Sequence, residues 1–423
     1  MAKVCLVGDL TDGYRLEVDG APFYVKGAGL EFGQLTSLAG AGGNTFRTWR
    51  VANGERSAED ILDEAQSLGL MVCMGLDMAR ERHGFDYSDA QAVALQNEQM
   101  MLDVNRLKDH PALLMWGLGN ELNLRATNTA VWDAVEDLAT RIKAADSNHP
   151  VTTMLAGIDE ATVSAIAAKA PSLDFLSFQI YGEIDQLGQL LSRAGYDGPY
   201  QLTEWGPTGH WESPKTAWGR PIEPNSSQKA RDISRRYNTI ILADSRRCLG
   251  AYIFLWGQKQ ERTPTWYSMF LEDGKHTEAV EVMNQAWTGQ SSKRHSLQIK
   301  SLTLSGQPAS ASVTGQIDDR LHAQLALLET EGNPTISWTV CTEVSKALES
   351  DGGDFEPTPP SVLSSIGTQN TDFAFQLSQP GEYRLFCQVD MADATSAVVN
   401  LPFLVKPKSR TRNGFLNFFR RKM

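Results

Sequence analysis

The sequence predicts an α/β fold: a (β/α)8 TIM barrel followed by a C-terminal immunoglobulin-like β-sandwich. Between residues 24 and 288, eight short apolar segments alternate with amphipathic helical segments, which is the strand–helix count of a (β/α)8 barrel. From residue 296 onward, seven short strand-like segments follow one another with turns between them, as in a β-sandwich. A chain of 423 residues has room for both domains.

The chain is expected to divide into four parts. Residues 1–23 form an N-terminal β-hairpin that caps the barrel floor, because YRLEVDG alternates apolar and polar residues before a turn. Residues 24–288 form the (β/α)8 catalytic barrel, and residues 296–405 form the immunoglobulin-like sandwich. Residues 406–423 form a basic amphipathic tail with seven Lys and Arg and no acidic residue. Such a tail fits a contact with an anionic membrane or a protein partner, or else an unstructured end.

The order of elements supports the barrel in detail. In one helical segment Ser57 is placed to cap and Asp60 to complete a capping box. In another, Trp132, Val135 and Leu138 share one face. No glycine-rich dinucleotide loop follows the first strand, which argues against a doubly wound sheet. The eight predicted strands lie in the segments YVKGAGLEF, NTFRTWR, LMVCMGLDM, ALLMWGLGNE, PVTTMLAG, DFLSFQIYGE, PYQLTEWG and GAYIFLWGQ.

Composition excludes several classes of function. The net charge of -12 argues against nucleic acid as a partner. The five cysteines are scattered without CxxC spacing, which indicates free thiols and no zinc site, although a Cys341–Cys387 disulfide stays open. No cofactor or metal is expected. No signal peptide and no apolar run of transmembrane length are visible. The chain as it stands is therefore expected to be cytoplasmic, or else a piece of an exported or membrane-associated protein; its oligomeric state is not predicted.

Polar and aromatic residues collect where the predicted strands end. Because reacting groups of a TIM barrel gather at the C-terminal ends of its strands, these side chains should share one cavity. Two carboxyls flanking a site lined by indoles, an amide and a guanidinium suit the cleavage of a glycosidic bond. A long loop after the seventh strand adds His210 and Trp211 as a wall. The strand-end residues are Arg47, Trp49, Asp77, Asn120, Glu121, Tyr181, Glu204, Trp205, Trp256 and Gln258.

Two of these strand ends carry a family resemblance. WGLGNELN and YQLTEWG resemble the clan of retaining glycoside hydrolases with (β/α)8 barrels, and most closely the family 2 catalytic barrel. VKGAGLEF and NTFRTWR are similar to β-1,3-glucanosyltransferases. The resemblance covers roughly Tyr14 to Trp287. It implies that Glu121 is the general acid/base and that Glu204 is the nucleophile.

The resemblance also implies roles for the surrounding residues. Asn120 would hold the 2-hydroxyl of the sugar, and Tyr181 would hydrogen-bond the nucleophile. Arg47 would keep the nucleophile ionised, and Trp256 would form the floor under the reacting sugar. The predicted substrate-binding set is completed by Trp205, His210 and Trp211.

The sequence departs from the family in one respect. The sugar-binding sandwich expected ahead of a family 2 barrel is missing, so galactosidase, mannosidase or glucuronidase specificity is not transferred. The leading hypothesis is a retaining β-glycoside hydrolase or transglycosylase acting on a β-glucan-type poly- or oligosaccharide. An alternative is a non-catalytic carbohydrate-binding or assembly protein built on a glycosidase barrel, and a third is an inverting hydrolase.

Overall fold

The computed structural model describes most of the chain. The predicted basic tail lies outside the described residues from residue 409 onward. No helix among the described residues is long and apolar enough to cross a membrane. The described residues are 2–30, 33–52, 54–290, 297–328, 332–350 and 353–408.

A small antiparallel sheet precedes the barrel. Its strands are β1 (Val4–Asp9), β2 (Gly13–Val18) and β3 (Ala21–Phe23), in that order. The turn between β2 and β3 places Asp19 at a positive φ of 51°, next to Gly20. The apolar side of this sheet packs on residues inside the N-terminal end of the barrel, including Met71, Leu114, Met115 and Met154. The sheet thus packs against this end of the barrel, and it has one strand more than the hairpin expected from the sequence.

Eight parallel strands close into a barrel, which confirms the predicted fold class. Each strand pairs with its neighbour in chain order, and the last pairs with the first, so the barrel has no free edge. All eight strands are almost wholly buried, as expected for a parallel sheet covered by helices. The strands are β4 (Val25–Gly29), β5 (Thr45–Arg47), β6 (Met71–Leu76), β7 (Leu113–Asn120), β8 (Val151–Ala156), β9 (Phe175–Gln179), β10 (Tyr200–Trp205) and β11 (Cys248–Ile253).

Helices surround the barrel and bury their apolar faces against it. The capping box predicted at Ser57 and Asp60 is present, and Asn225 and Gln228 form a second one. The apolar positions of the fourth helix, among them Trp132, are buried. The helices are α1 (Leu35–Gly40), α2 (Ala58–Ser67), α3 (Ala90–Leu107), α4 (Ala130–Ala145), α5 (Glu160–Lys169), α6 (Leu187–Arg193), α7 (Ser226–Arg236) and α8 (Glu278–Thr288).

The C-terminal region forms two β-sheets packed on a shared core, as predicted. The strands are β12 (His276–Thr277), β13 (Ile299–Leu304), β14 (Thr314–Gln316), β15 (Leu321–Leu327), β16 (Thr335–Thr342), β17 (Ser361–Thr368), β18 (Asp372–Phe375), β19 (Gly381–Asp390) and β20 (Thr395–Lys406). One sheet has the order β12-β20-β19-β16-β17, with β14 also paired to β20, and the other has the order β13-β15-β18. Trp338 is buried in their core, and Cys341 and Cys387 are free thiols.

Barrel and sandwich share a buried polar interface. Lys229 of α7 pairs with Glu223 at 2.5 Å, and both side chains are buried. From the sandwich, Asn400 donates to Glu223, and Arg384 donates to the carbonyl of Pro221 at 3.0 Å. Buried charges require such partners because an unpaired charge in a protein interior is costly. The interface therefore fixes the sandwich against the seventh loop of the barrel.

Candidate active site

A cavity opens at the C-terminal end of the barrel strands. Its volume is about 820 Å³, large enough for an oligosaccharide segment, and both Glu121 and Glu204 line it. This is the end of a TIM barrel at which active sites lie. Of the other predicted site residues, Asn120, Tyr181, Trp211 and Trp256 also line the cavity.

Local irregularities aim both glutamates into the cavity. The pairing of β7 with β8 shifts register between Leu118 and Asn120, and that of β10 with β9 shifts between Leu202 and Glu204. Such irregularities re-aim the side chains that follow them. Glu121 itself has a φ of 54°, a left-handed conformation that non-glycine residues rarely adopt, so the backbone is strained where this side chain enters the cavity.

Glu204 is surrounded by hydrogen-bond donors. Its Oε1 accepts from Trp49 Nε1 at 2.9 Å and from Arg47 Nη1 at 3.2 Å. Its Oε2 accepts from the hydroxyl of Tyr181 at 2.7 Å. Donors of this kind stabilise the charged form of a carboxyl, which is the form that a nucleophile needs. The role of Trp49 as one of these donors was not predicted.

A buried polar network orients Asn120. Its Oδ1 accepts from Arg47 Nη2 at 2.7 Å and from Gln179 Nε2 at 2.6 Å. Because both donors occupy the oxygen, the orientation of the amide is fixed and its Nδ2 is left for the cavity. Gln179, the last residue of β9, was not predicted, although its strand-end position was a signal for it.

Glu121 has a different environment from Glu204. Its side chain is 13% exposed, and its Oε2 accepts no hydrogen bond from any of the described residues. The nearest cation is Arg82, at 3.7 Å from that oxygen. Burial and then the charge of Glu204 raise the pKa of Glu121 to about 7, against the opposing effect of Arg82. Glu121 can therefore carry a proton near neutral pH, as a general acid must.

Two arginines support the strained turn at Glu121. Arg80 Nε donates to the carbonyl of Asn120 at 3.0 Å, and Arg82 Nη1 donates to the carbonyl of Glu121 at 2.9 Å. The amide of Glu121 donates to the carbonyl of Met154 at 2.9 Å. The backbone is thus held from both sides of the strand end. Neither arginine was foreseen as part of the site.

Aromatic rings form one wall of the cavity. Tyr181 meets Trp211 edge-on at 5.5 Å, and its ring also contacts Phe254 and Tyr267. Trp211 is 53% exposed, so part of its ring is open to a ligand. Burial, followed by the charge of Glu204, raises the pKa of Tyr181 well above its usual value, so the phenol remains a donor.

Trp256 lines the cavity from the end of the eighth strand. Its Nε1 donates to Ser37 Oγ at 3.1 Å, and its ring packs against Phe270 and Trp287. These contacts fix the plane of the indole. Only 1% of Trp256 is exposed, so the indole lines the cavity as part of its packed wall.

Two predicted substrate contacts lie elsewhere. Trp205 is fully buried on the outer side of β10, stacked on Tyr237 at 5.8 Å, because successive strand residues point to opposite faces and Glu204 points inward. His210 is also buried, and its Nε2 lies 3.6 Å from Glu261 Oε1. Both residues lie outside the cavity lining, so the structure corrects their assignment as substrate contacts. The buried Arg47 is also outside the lining, and it acts on the site through its hydrogen bonds to Glu204 and Asn120.

Glu261 is a further carboxyl of the cavity lining, which also contains Asp77, Glu272 and Asp354, and its presence there was not predicted. Burial acts to raise its pKa, but His210 and the nearby Lys259 outweigh burial and hold the pKa below its usual value. Its negative charge is one of the smaller influences that raise the pKa of Glu121. His210 thus influences the cavity through Glu261. Within the described ranges, no group of three or more His, Cys, Asp or Glu is arranged to hold a metal ion.

Comparison with known proteins agrees with this geometry. Residues 60–207 match the family described as "Glycosyl hydrolases family 2, TIM barrel domain". The matched segment includes both glutamates. Over these residues the chain is therefore similar to the barrel domain of family 2 glycosyl hydrolases, in agreement with the eight-stranded barrel.

Individual relatives are distant. The chain is 27% identical over 155 residues to a β-glucuronidase of Chlorocebus aethiops, which covers 32% of this chain and 22% of the relative. It is 24% identical over 186 residues to mannan endo-1,4-beta-mannosidase F of Aspergillus clavatus, covering 37% of this chain and 42% of the relative.

Solved structures share the fold. Bacteroides uniformis β-glucuronidase 2, covalently bound to cyclophellitol-6-carboxylate aziridine, has a TM-score of 0.50 and 14% identity, covering 96% of this chain and 48% of that chain. The Bifidobacterium dentium β-glucuronidase complexed with coumarin-3-O-glucuronide has a TM-score of 0.51 and 17% identity, covering 68% of this chain and 49% of that chain. The chain therefore spans about half the length of these two structures.

Proposed function

We propose that the protein is a retaining β-glycoside hydrolase in which Glu204 is the nucleophile and Glu121 the general acid/base. One observation carries this proposal: two carboxyls in one cavity have opposite environments. Glu204 accepts three hydrogen bonds, whereas Glu121 Oε2 accepts none from the described residues and the pKa of Glu121 is raised to about 7. Two carboxyls in such different environments are suited to the two different roles that glycosidase catalysis requires.

The first step follows from this division. Glu204 Oε attacks the anomeric carbon and forms a covalent ester, while the bond from that carbon to the glycosidic oxygen breaks. Glu121 gives its proton to the departing oxygen. Arg47, Trp49 and Tyr181 hold the attacking carboxylate in place, which lowers the cost of orienting it in the transition state.

The second step reverses the roles. Esterification removes the charge of Glu204, which after burial is the largest influence raising the pKa of Glu121. The pKa of Glu121 therefore falls, and Glu121 can accept a proton from water as the water attacks the anomeric carbon. The ester bond breaks, and the sugar leaves with its original configuration.

Three further residues are proposed to bind the reacting sugar. Asn120 presents its Nδ2 to a hydroxyl group, because Arg47 and Gln179 occupy its Oδ1. Trp256 supports the ring from below, and Trp211 borders the cavity mouth. A fixed amide beside a fixed indole suits a pyranose, which has hydroxyls at its edge and C–H groups on its faces.

The substrate is proposed to be a β-linked poly- or oligosaccharide, with β-glucan as the first candidate from the strand motifs NTFRTWR and VKGAGLEF. The names of the relatives add glucuronides and β-1,4-mannan as competing candidates. A transglycosylase would use the same covalent intermediate, with a sugar hydroxyl replacing water.

A substrate panel tests the proposal. It contains p-nitrophenyl β-glucoside, β-galactoside, β-mannoside and β-glucuronide, together with β-1,3-glucan, β-1,4-glucan and β-1,4-mannan. We expect hydrolysis of at least one member, and loss of at least about a thousandfold in kcat/KM for Glu204→Gln. Glu98→Gln, which changes an exposed carboxyl on α3, is the matched control. A Glu204→Gln enzyme as active as the Glu98→Gln control would refute the assignment.

The anomeric configuration separates retention from inversion. Proton NMR of the first product should detect the β-anomer before mutarotation. An α-anomer would assign an inverting mechanism. Azide provides a second test. In Glu204→Ala, azide takes the place of the nucleophile and should give the α-glycosyl azide. In Glu121→Ala, azide attacks the glycosyl-enzyme in place of water and should give the β-glycosyl azide.

A further inference from the structure

A loop of the sandwich reaches the mouth of the barrel. It joins β16 to β17 and consists of residues 343–360, of which 351 and 352 lie outside the described part of the chain; we name it the sandwich loop. Three of its residues, Gly353, Asp354 and Phe355, line the same cavity as Glu121 and Glu204. A domain that is separate in sequence therefore supplies part of the cavity wall.

Contacts with the eighth barrel loop anchor one side of the sandwich loop. Lys259 Nζ donates to the carbonyl of Gly353 at 2.5 Å. Glu356 is only 3% exposed and accepts from the amide of Arg262 at 2.8 Å and from its guanidinium at 2.8 Å. The residues on both sides of Phe355 are thus tied to the barrel.

A second anchor connects the sandwich loop to the flank of Glu121. Asp354 Oδ2 lies 2.9 Å from Nε2 of His83. The residue preceding His83 is Arg82, which donates to the carbonyl of Glu121 and lies 3.7 Å from its Oε2. Since the general acid donates to the leaving group, the sandwich loop borders the side of the cavity from which the leaving group departs.

The side chain of Phe355 lies exposed between these two anchors. The residue is 88% exposed although its neighbour Glu356 is buried. An exposed aromatic ring at the rim of a polar cavity offers a face on which the apolar C–H face of a sugar can stack. We propose that Phe355 is the stacking platform of a leaving-group subsite, which takes the second sugar ring of a β-linked oligosaccharide. This inference rests on the proposed function, because it takes Glu121 as the acid.

Two substrates separate this subsite from the reacting centre. A β-glycosyl fluoride has a leaving group without a ring, whereas a β-linked disaccharide places a sugar at the subsite. The probes are β-glucosyl fluoride with laminaribiose, and the corresponding fluorides and β-1,4-disaccharides of mannose and glucuronic acid. For Phe355→Ala, the ratio of kcat/KM on the disaccharide to kcat/KM on the fluoride should fall roughly three- to tenfold. Phe355→Trp should restore it.

The matched control is Ile366→Ala, which removes an exposed apolar side chain from β17 of the same sandwich. It should leave the ratio at the parental value. A Phe355→Ala ratio within twofold of the parent, or a parent that cleaves only the fluoride, would overturn the subsite and leave the proposed function intact. If the parent cleaves no probe, and Glu121→Gln binds no disaccharide in calorimetry, the proposed function fails and the inference fails with it.

Discussion

Tyr181 donates its hydroxyl hydrogen to Oε2 of Glu204 at 2.7 Å, at the junction of the sixth and seventh strands of the barrel. Burial and the charge of Glu204 both raise the pKa of this phenol well above its usual value. The phenol therefore stays protonated over the whole working range of pH. It is a permanent donor to Oε2 of Glu204, while Trp49 and Arg47 donate to Oε1.

Removal of this donor should impair the chemical step. In Tyr181→Phe the carboxylate of Glu204 loses a hydrogen bond to a charged group, so kcat/KM should fall roughly 10- to 100-fold. Steady-state kinetics on the best substrate measures this. Tyr267→Phe is the control, because the Tyr267 ring contacts Tyr181 but its hydroxyl accepts from the amide of His210. Equal rates in the two variants would contradict the role given to Tyr181.

The pH dependence of activity should report Glu121. Its pKa of about 7 means that the proton needed for the first step is present below pH 7 and is lost as the pH rises. We therefore expect kcat/KM to fall on the alkaline side with a midpoint near pH 7. With a substrate whose leaving group needs no protonation, such as a dinitrophenyl glycoside, Glu121→Gln should lack this alkaline limb. An unchanged limb in that variant would assign the titration to another group.

The same carboxyl should link stability to pH. The folded pKa is about 7 against an ordinary value of 4.5, so the folded state holds a proton in this interval that the unfolded state has released. The free energy of unfolding then falls with rising pH between these values. Glu121→Gln removes this dependence and should gain roughly 1–3 kcal/mol over the parent between pH 5 and pH 8. Urea unfolding at both pH values measures it, and a constant difference would refute the linkage.

Two tryptophans of the seventh segment should respond in opposite ways. Trp205 is buried and stacked on Tyr237, so Trp205→Leu should lower the free energy of unfolding by roughly 2–4 kcal/mol. Trp211 is half exposed at the cavity, so Trp211→Ala should raise KM and leave the melting temperature within about 2 °C. Thermal melts and kinetics on both variants test the contrast. A substrate-affinity loss confined to Trp205→Leu would reverse our correction.

The interface between barrel and sandwich should depend on one buried ion pair. Lys229→Met leaves the buried Glu223 without its cation and should cost roughly 3–5 kcal/mol of unfolding free energy. The double variant Lys229→Met/Glu223→Gln removes both charges and should recover part of that loss. Denaturant unfolding of Lys229→Met, of Glu223→Gln and of the double variant measures the coupling between the two charges. Additive effects would show that the two charges act independently.

Much of the site could be predicted from the sequence because a repeated strand–helix unit brings every strand end to one mouth. Glu121 and Glu204 are 83 positions apart in the chain, yet each ends a strand of the repeat, and both line the cavity. Asn120 and Tyr181 also line the cavity. Arg47 and Gln179 end their strands as well, and they reach the site through hydrogen bonds to Asn120. Gln179 was missed because it precedes the more conspicuous Tyr181 by two residues.

The sequence by itself determined the periodicity of the strands and helices, and hence the barrel, the sandwich and the two strand-end glutamates. These are local patterns, and the closed barrel brings the strand ends that they predict to one end of the barrel. Only the tertiary structure decided that Trp205 faces the helices, that His210 is buried beside Glu261, and that Phe355 borders the cavity. The physical reason is the sequence distance between the residues involved. A shift of one residue in strand register moves a side chain to the opposite face of the sheet, and the packing of distant loops depends on contacts that no local pattern encodes.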